Sequence, residues 1–317
     1  MNNLALGYHA AGKLDLALPL WEETLKLRKA ALGADHSHTL TSMNNLAGGY
    51  HAAGKPGPAL PLYEETLKLR KATLGADHPD TLTSMNNLAL GYHAAGKLDL
   101  VLPLLEETLK LRNTKLGADH PYTLLSMNNL AMGYRSAGKP DLALPLFREA
   151  AAGIEKRRFQ HEHAGLIVNN LIDCHEQLKQ FDQAEAWRRK GLAVVKERSG
   201  ADSPPYAGEL AALGSNLIQQ KKWADAEPVL RESLALRQKK QPDTWTTFNT
   251  LSMLGGALLG QKKYADAGPL LLKGYEGMKQ REKTISNVPQ TATRLPESID
   301  RLIELYTATD KPDEAKK

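Results

Sequence analysis

Met1, Met43, Met85 and Met127 each open the pentapeptide MNNLA, 42 residues apart. A chain that repeats at this period buries its apolar residues against copies of its own repeat, so a single closed core is excluded. The beat persists after the near-copies end. A small residue inside LDLALP, FDQAEA, WADAEP and YADAGP falls at Ala17, Ala59, Val101, Ala143, Ala184, Ala226 and Ala267, in steps of 42, 42, 42, 41, 42 and 41. An eighth beat, KPDEA, places Ala315 48 residues after Ala267, with the extra residues in EKTISNVPQTATRLPES.

Within one repeat the apolar spacing is helical. Met43, Leu46, Ala47 and Tyr50 lie at i, i+3, i+4 and i+7 and predict a first helix, A. Gly54 in AAGK predicts its left-handed stop. A second helix, B, follows with two stripes: Ala59, Leu62, Tyr63 and Thr66 on one, Leu60, Leu67 and Leu74 on the other. Two stripes suit a helix packed between its own partner and the next repeat. Gly75 ends helix B, ADHPD turns the chain, and Thr81 is the expected cap of the next helix A. Pro19, Pro61, Pro103, Pro145, Pro228 and Pro269 fall about one turn into helix B, where a missing N–H costs least. Glu64 and Glu65 ahead of Lys68, Arg70 and Lys71 predict a solvated outer face with favourable i,i+4 pairs. No alternation of period two is long enough for a strand.

Composition narrows the function. Hydrophobic residues make up 42% of the chain but aromatic ones only 6%, so the core is one of Leu and Ala. No apolar run reaches the roughly 18–20 residues of a membrane span. The lone cysteine, Cys174, allows no internal disulfide and, with no leader-like N-terminus, predicts a cytoplasmic protein. Residues 1–42, 43–84 and 85–126 each carry four basic and four acidic side chains, so the net charge of +5 lies wholly in 127–317. Nucleic-acid binding needs a continuous basic face, which a neutral repeat does not supply.

Reactive side chains do not converge. His36, His78 and His120 recur once per repeat in ADH, roughly 10 Å apart on packed helices, too far to share a metal. His38, His161 and His163 add no carboxylate or thiolate to them. Cys174 and His175 are neighbours on a helix and point about 100° apart, which excludes a thiol–base pair. The runs Lys156-Arg157-Arg158 and Arg188-Arg189-Lys190 read as solvated helix ends, or as docking points for an acidic partner. The expectation is a protein with no catalytic residues, no metal, no cofactor and no small-molecule substrate.

A helix pair with Leu46 and Ala47 on helix A, Tyr50 one turn on, Gly54 before the turn and Ala59 early in helix B resembles the tetratricopeptide repeat. Leu213, Gly214, Leu217, Trp223 and Ala226 carry the same likeness later in the chain. The 42-residue period, with LGADHPDTL between repeats, is similar to the kinesin-light-chain type. The resemblance implies an all-α fold, a right-handed solenoid of stacked antiparallel helix pairs. It would have seven pairs over 1–282, the first lacking its opening turn. A linker, a last helix A and the start of a truncated eighth repeat would occupy 283–317. On this alignment Met43 is the fourth residue of its helix, and the chain begins inside helix A.

The resemblance also implies a function, the binding of a protein or peptide partner in the groove lined by A helices. The residues it points to are Asn44, Asn45 and His51, then Asn86, Asn87 and His93, then Asn128, Asn129 and Arg135, and finally Asn169. Gly48, Leu90 and Met132 lie between them on the same stripe. Asn45, Asn87 and Asn129 match the asparagine that contacts peptide backbones in related arrays. Asn44 and Asn86 stand where relatives that clamp a C-terminal carboxylate carry lysine, so that ligand is not expected. Leu88 and Leu130 hold the core stripe, so alanine at Asn86 and Asn128 is expected to leave packing intact. Arrays of this type also resemble tails of bacterial serine/threonine kinases; a detached regulatory tail is the alternative, and the chain has no Gly-rich phosphate loop, HRD or DFG.

Overall fold

The computed structural model describes residues 1–286 and 292–311; the expected eighth beat at Ala315 lies outside them. Seven helix pairs follow one another: α1 (Asn2–Ala10) with α2 (Leu14–Leu32), α3 (Ser37–Ala52) with α4 (Pro56–Leu74), α5 (Pro79–Ala94) with α6 (Leu98–Leu116), α7 (Pro121–Ser136) with α8 (Pro140–Lys156), α9 (Ala164–Gln177) with α10 (Phe181–Ser199), α11 (Pro204–Gln219) with α12 (Trp223–Lys240), and α13 (Trp245–Gly260) with α14 (Tyr264–Lys279). A short α15 (Glu282–Ser286) and a longer α16 (Arg294–Ala308) come last. No strand occurs among the described residues. The helices form two compact units, Met1–Leu171 and Ile172–Lys317, with the boundary inside α9.

The small residue of the beat is the packing centre. Ala17, Ala59, Ala143, Ala184, Ala226 and Ala267 are wholly buried, and Val101 nearly so. One turn later a large side chain anchors helix B: Trp21, Tyr63, Leu105, Phe147, Leu230 and Leu271, all buried. Helix A of the next repeat makes room for it. A methyl group added at Gly49 would stand 2.6 Å from the Trp21 ring, so the glycine is what lets an indole fit there. Arg188 breaks the series: at the anchor position it puts a guanidinium, paired at 2.8 Å with Glu176. In the C-terminal unit α16 packs on α13 and α14. Leu302 and Leu305 join the core of Leu254, Ala257, Leu258 and Leu271, and α13 is buried continuously from Leu251 to Leu259.

Each A–B connection is three residues long. In the N-terminal unit Gly12, Gly54, Gly96 and Gly138 take φ of 67–72° there. Gly54 N donates to His51 O and Lys55 N to Tyr50 O, both at 2.9 Å, which closes the end of α3. The C-terminal unit places lysine at this point: Lys179, Lys221 and Lys262 have φ of 57–62°. A β-carbon is disfavoured in that region by about 1–2 kcal/mol, partly offset because glycine loses more entropy on folding. Lys221→Gly should therefore raise stability by about 0.5 kcal/mol, read as a higher thermal midpoint; a lower midpoint contradicts the account.

Three boundary expectations need correction. Helix A begins at Ser37 or Pro79, so Met43 is its seventh residue rather than its fourth. Thr81 does not cap α5: it lies inside the first turn, wholly buried, its hydroxyl without a hydrogen-bond partner. The cap is His78, whose Nδ1 accepts from Asp80 N at 3.2 Å. The recurring proline is the sixth residue of α2, and of α4 and α6. That is past the free N–H groups of the first turn, so each proline forfeits a helical bond. The residues four before it, Asp15, Gly57 and Asp99, are exposed, so water can take up the freed carbonyls.

The outer-face reading of the helix B charges fails at one position. Arg70 and Arg112 are buried, not solvated. Arg70 Nη1 donates to Ser84 Oγ at 2.9 Å and Asp80 O at 2.8 Å, and Arg112 Nη1 to Ser126 Oγ at 2.9 Å and Tyr122 O at 3.1 Å. Arg28 makes the same pair of bonds to Ser42 and His38. A guanidinium thus ties α2, α4 and α6 each to the start of the next A helix. Tyrosine ties the other end: Tyr50, Tyr92 and Tyr134 donate to Glu22, Glu64 and Glu106 at 2.5, 2.9 and 2.7 Å. The bond to Glu22 and burial push the Tyr50 phenol up to about 12. In the C-terminal unit Glu185 accepts from Gln220 and Lys222, and Glu227 from Gln261 and Lys263. These bonds outweigh burial and hold Glu185 down to about 2; they hold Glu227 there too.

Candidate functional site

The A helices of the N-terminal unit present three parallel rows, spaced by the repeat. The first is the asparagine row. Helical geometry puts the two asparagines of MNN about 100° apart, one toward each neighbouring A helix. The second asparagine of each repeat donates back to the first asparagine of the repeat before. Asn45 Nδ2 bonds Asn2 Oδ1 at 3.1 Å, Asn87 bonds Asn44 at 3.0 Å, Asn129 bonds Asn86 at 2.6 Å and Asn170 bonds Asn128 at 2.9 Å. Asn128 Nδ2 also reaches Asn129 Oδ1 at 3.1 Å. The row is therefore a ladder that links α1, α3, α5, α7 and α9. The doublet NN at a 42-residue period was its signal in the sequence, since bonds from second to first position fall 42 or 43 apart. The expectation that alanine at Asn86 and Asn128 leaves packing intact rests on Leu88 and Leu130 alone, whereas both amides also bond to a neighbouring helix and Asn128 is buried.

The ladder leaves part of four amides free. Asn44 and Asn86 enter it through Oδ1 and keep their Nδ2 groups outside it; Asn45 and Asn87 enter through Nδ2 and keep Oδ1. All four are half-buried, and Asn169 is exposed.

The second row is Leu6, Gly48, Leu90 and Met132. Leu6 and Leu90 are 42% and 46% exposed, high for leucine. Gly48 interrupts the row, and the nearest atom to a methyl group added there is the Tyr63 hydroxyl at 3.7 Å, so the gap is open to one side. The third row is His9, His51, His93 and Arg135. His9 stacks obliquely on Trp21 at 5.6 Å, and Arg135 lies over Phe147 at 5.9 Å. His93 Nε2 is 2.9 Å from Ser136 Oγ. His51 Nδ1 and Arg135 Nη1 are buried without a hydrogen-bond partner. The structure thus brings together the residues expected from Asn44 to Arg135, with the asparagines committed first to one another.

The other candidates resolve locally. Cys174 and His175 are both buried, and His175 Nδ1 lies 2.7 Å from Gln180 Oε1, which holds the ring against the turn after α9. The basic runs are not loose helix ends. Lys156 pairs with Asp119 at 2.5 Å, Arg157 donates to the Asp119 carbonyl at 2.7 Å, and Arg189 pairs with Glu185 at 2.8 Å. No group of three or more metal-ligating side chains occurs among the described residues. No helix among them is long and apolar enough to cross a membrane.

Comparisons with known proteins agree with this architecture. The tetratricopeptide repeat matches the chain over residues 1–72, 59–114, 102–156 and 164–239. A Podosopora anserina kinesin light chain of nearly identical TPR-like repeats is similar at 26% identity and a TM-score of 0.52, over 62% of this chain and 93% of that one. The apo form of RapI shares the fold at 11% identity and a TM-score of 0.56, over 89% and 97% of the two chains. The C-terminal part of a TPR repeat-containing protein from Cytophaga hutchinsonii does so at 15% identity and 0.55, over 86% and 92%. No curated protein matches the chain. Repeat period, buried alanine beat, helix pairing and these likenesses together place the chain in the tetratricopeptide repeat family.

Proposed function

We propose that the N-terminal unit holds an extended peptide segment of a partner protein across its A helices, and performs no chemistry on it. Tetratricopeptide repeats generally mediate protein–protein interaction; the observation that carries the finer reading is the row of exposed Leu6 and Leu90 and half-buried Met132, broken at Gly48 and bordered by free amide groups of Asn44, Asn45, Asn86 and Asn87. Apolar side chains of a bound peptide fill the Gly48 gap and cover the leucines. The free Nδ2 and Oδ1 atoms offer one donor and one acceptor per repeat to its main chain. Packed A helices lie about 10 Å apart, close to three residues of polyproline-II chain at about 3.1 Å each, whose every third side chain faces the same way. The preferred ligand therefore carries an apolar residue at every third position.

Selection of displayed peptides on the full chain, followed by titration of the enriched ones, tests this. Gly48→Leu fills the gap without touching the ladder and should weaken the selected peptides at least about tenfold, the worth of a lost apolar side chain. Enrichment without a three-residue apolar spacing, or equal affinity for the leucine variant, overturns the reading.

A further inference from the structure

The turns that lead into α3, α5, α7 and α9 are closed by imidazole rings. His36 Nδ1 accepts from His38 N, His78 from Asp80 N, His120 from Tyr122 N and His161 from His163 N, each at 3.2 Å. Only a neutral ring can accept at Nδ1; in the imidazolium both nitrogens are donors. Protonation therefore removes the cap and sets a positive charge against the positive end of a helix dipole. The C-terminal unit closes the same turns with hydroxyl residues. Ser203 Oγ accepts from Tyr206 N at 3.3 Å; at the start of α13 the Thr244 side chain caps no N–H and its Oγ1 instead donates to Gln241 O at 3.1 Å. Hydroxyls do not titrate near neutral pH.

We propose that the N-terminal unit carries an acid-sensitive switch, in which protonation of the capping histidines opens the turns between repeats and loosens the A-helix face while the C-terminal unit stays closed. The surroundings of each ring grade the response. Around His36 lie Asp35, the His38 ring at 5.3 Å and Arg28, which donates to His38 O. Around His78 lie Asp77, held by Lys115 at 2.8 Å, and Asp80, whose carbonyl is bound by Arg70. His120 faces Arg112 of α6, Arg157 beyond α8, His161, Tyr122 at 5.7 Å and Asp119, which is tied to Lys156. His161 faces Arg157, His163 at 5.2 Å, Tyr122 at 6.1 Å and Glu162, itself 3.6 Å from His163. The last two turns are the most cationic. Burial and then Arg157 hold His120 below the ordinary histidine value; burial and then His163 hold His161 there. A lowered folded value means that the stability these two rings contribute is complete above the ordinary pKa and is lost as pH falls through the folded values.

Hydrogen exchange of the full chain at pH 7.5 and 5.5, corrected for intrinsic rates, tests the switch independently of any peptide ligand. Acid should cut protection severalfold, up to about the tenfold that one histidine can supply over this interval, at residues 121–125 and 163–167, less at 37–41 and 79–83, and leave 204–208 and 245–249 unchanged. The variant combining His36→Asn, His78→Asn, His120→Asn and His161→Asn keeps a non-titrating acceptor at each cap and should show no acid response. If that variant folds poorly, His78→Asn and His120→Asn alone should each abolish the response at their own turn only. Equal protection at the two pH values, a response that survives the asparagines, or one that spreads equally to the C-terminal unit would refute the proposal.

Discussion

Replacing Arg112 with alanine is expected to lower the unfolding free energy by about 3 kcal/mol. The guanidinium is only 5% exposed and donates through Nη1 to the Ser126 hydroxyl and the Tyr122 carbonyl. It also lies over the Tyr122 ring, 5.6 Å from its centre. Two terms oppose each other. Burying a cation is costly, which is why burial lowers the pKa of this arginine, and removing it recovers that cost. Against this, the variant leaves the buried Ser126 hydroxyl without its partner, at about 1–3 kcal/mol, while the Tyr122 carbonyl keeps its helical bond, and it opens a cavity where the stem of the side chain packed. The second set is the larger, because Ser126 is 1% exposed and water cannot replace the donor it loses. Arg112→Met separates the contributions by keeping the stem and removing the donors; it should recover only about half of the loss. Urea midpoints give the magnitude, and hydrogen exchange should place the weakening at Tyr122–Leu125. A loss below about 1 kcal/mol would mean that the arginine bridge is a surface ornament of the repeat.

That bridge shows where sequence reasoning stops. The pattern of Leu46, Ala47, Gly54 and Ala59 specifies helix, turn and helix because each acts through its own backbone or its immediate neighbours. Arg70 reads as solvated because EETLKLRK obeys local charge rules for an exposed helix face, and Arg112 sits in the matching EETLKLRN. Their burial follows from the next repeat, whose serine and carbonyl arrive 14 and 10 residues later. The histidine caps were hidden for a similar reason. ADH announces a turn, but Thr81 is the better cap by propensity, and only the placement of Pro79 at the start of α5 moves the cap to His78. Lys179, Lys221 and Lys262 were illegible because nothing marks a lysine as the left-handed residue that glycine supplies elsewhere. At the candidate face, the stripe from Asn44 to Arg135 was legible from the period. Its internal bonding was not, because which amide pairs with which depends on the rotation between successive A helices.

The ladder carries the second large effect. Asn128→Ala should cost about 2 kcal/mol and Asn169→Ala less than about 0.5 kcal/mol, although both are helix A asparagines of the same stripe. Asn128 is 1% exposed and sits in two bonds, accepting from Asn170 and donating to Asn129. Its loss strands two half-buried amides that water can reach in part, so the cost falls short of two full desolvation penalties. Asn169 is exposed, and its amide has water as an alternative partner. A double-mutant cycle of Asn128→Ala and Asn170→Ala should return a coupling of about 1 kcal/mol, as expected of residues in direct hydrogen-bond contact. The result bears on function as well as stability. If both single variants weaken peptide binding while only Asn128→Ala weakens the fold, the row is ligand surface and spine at once. If Asn128→Ala leaves stability unchanged, the inter-repeat bonds contribute nothing net, and the asparagines are free to be spent wholly on a ligand.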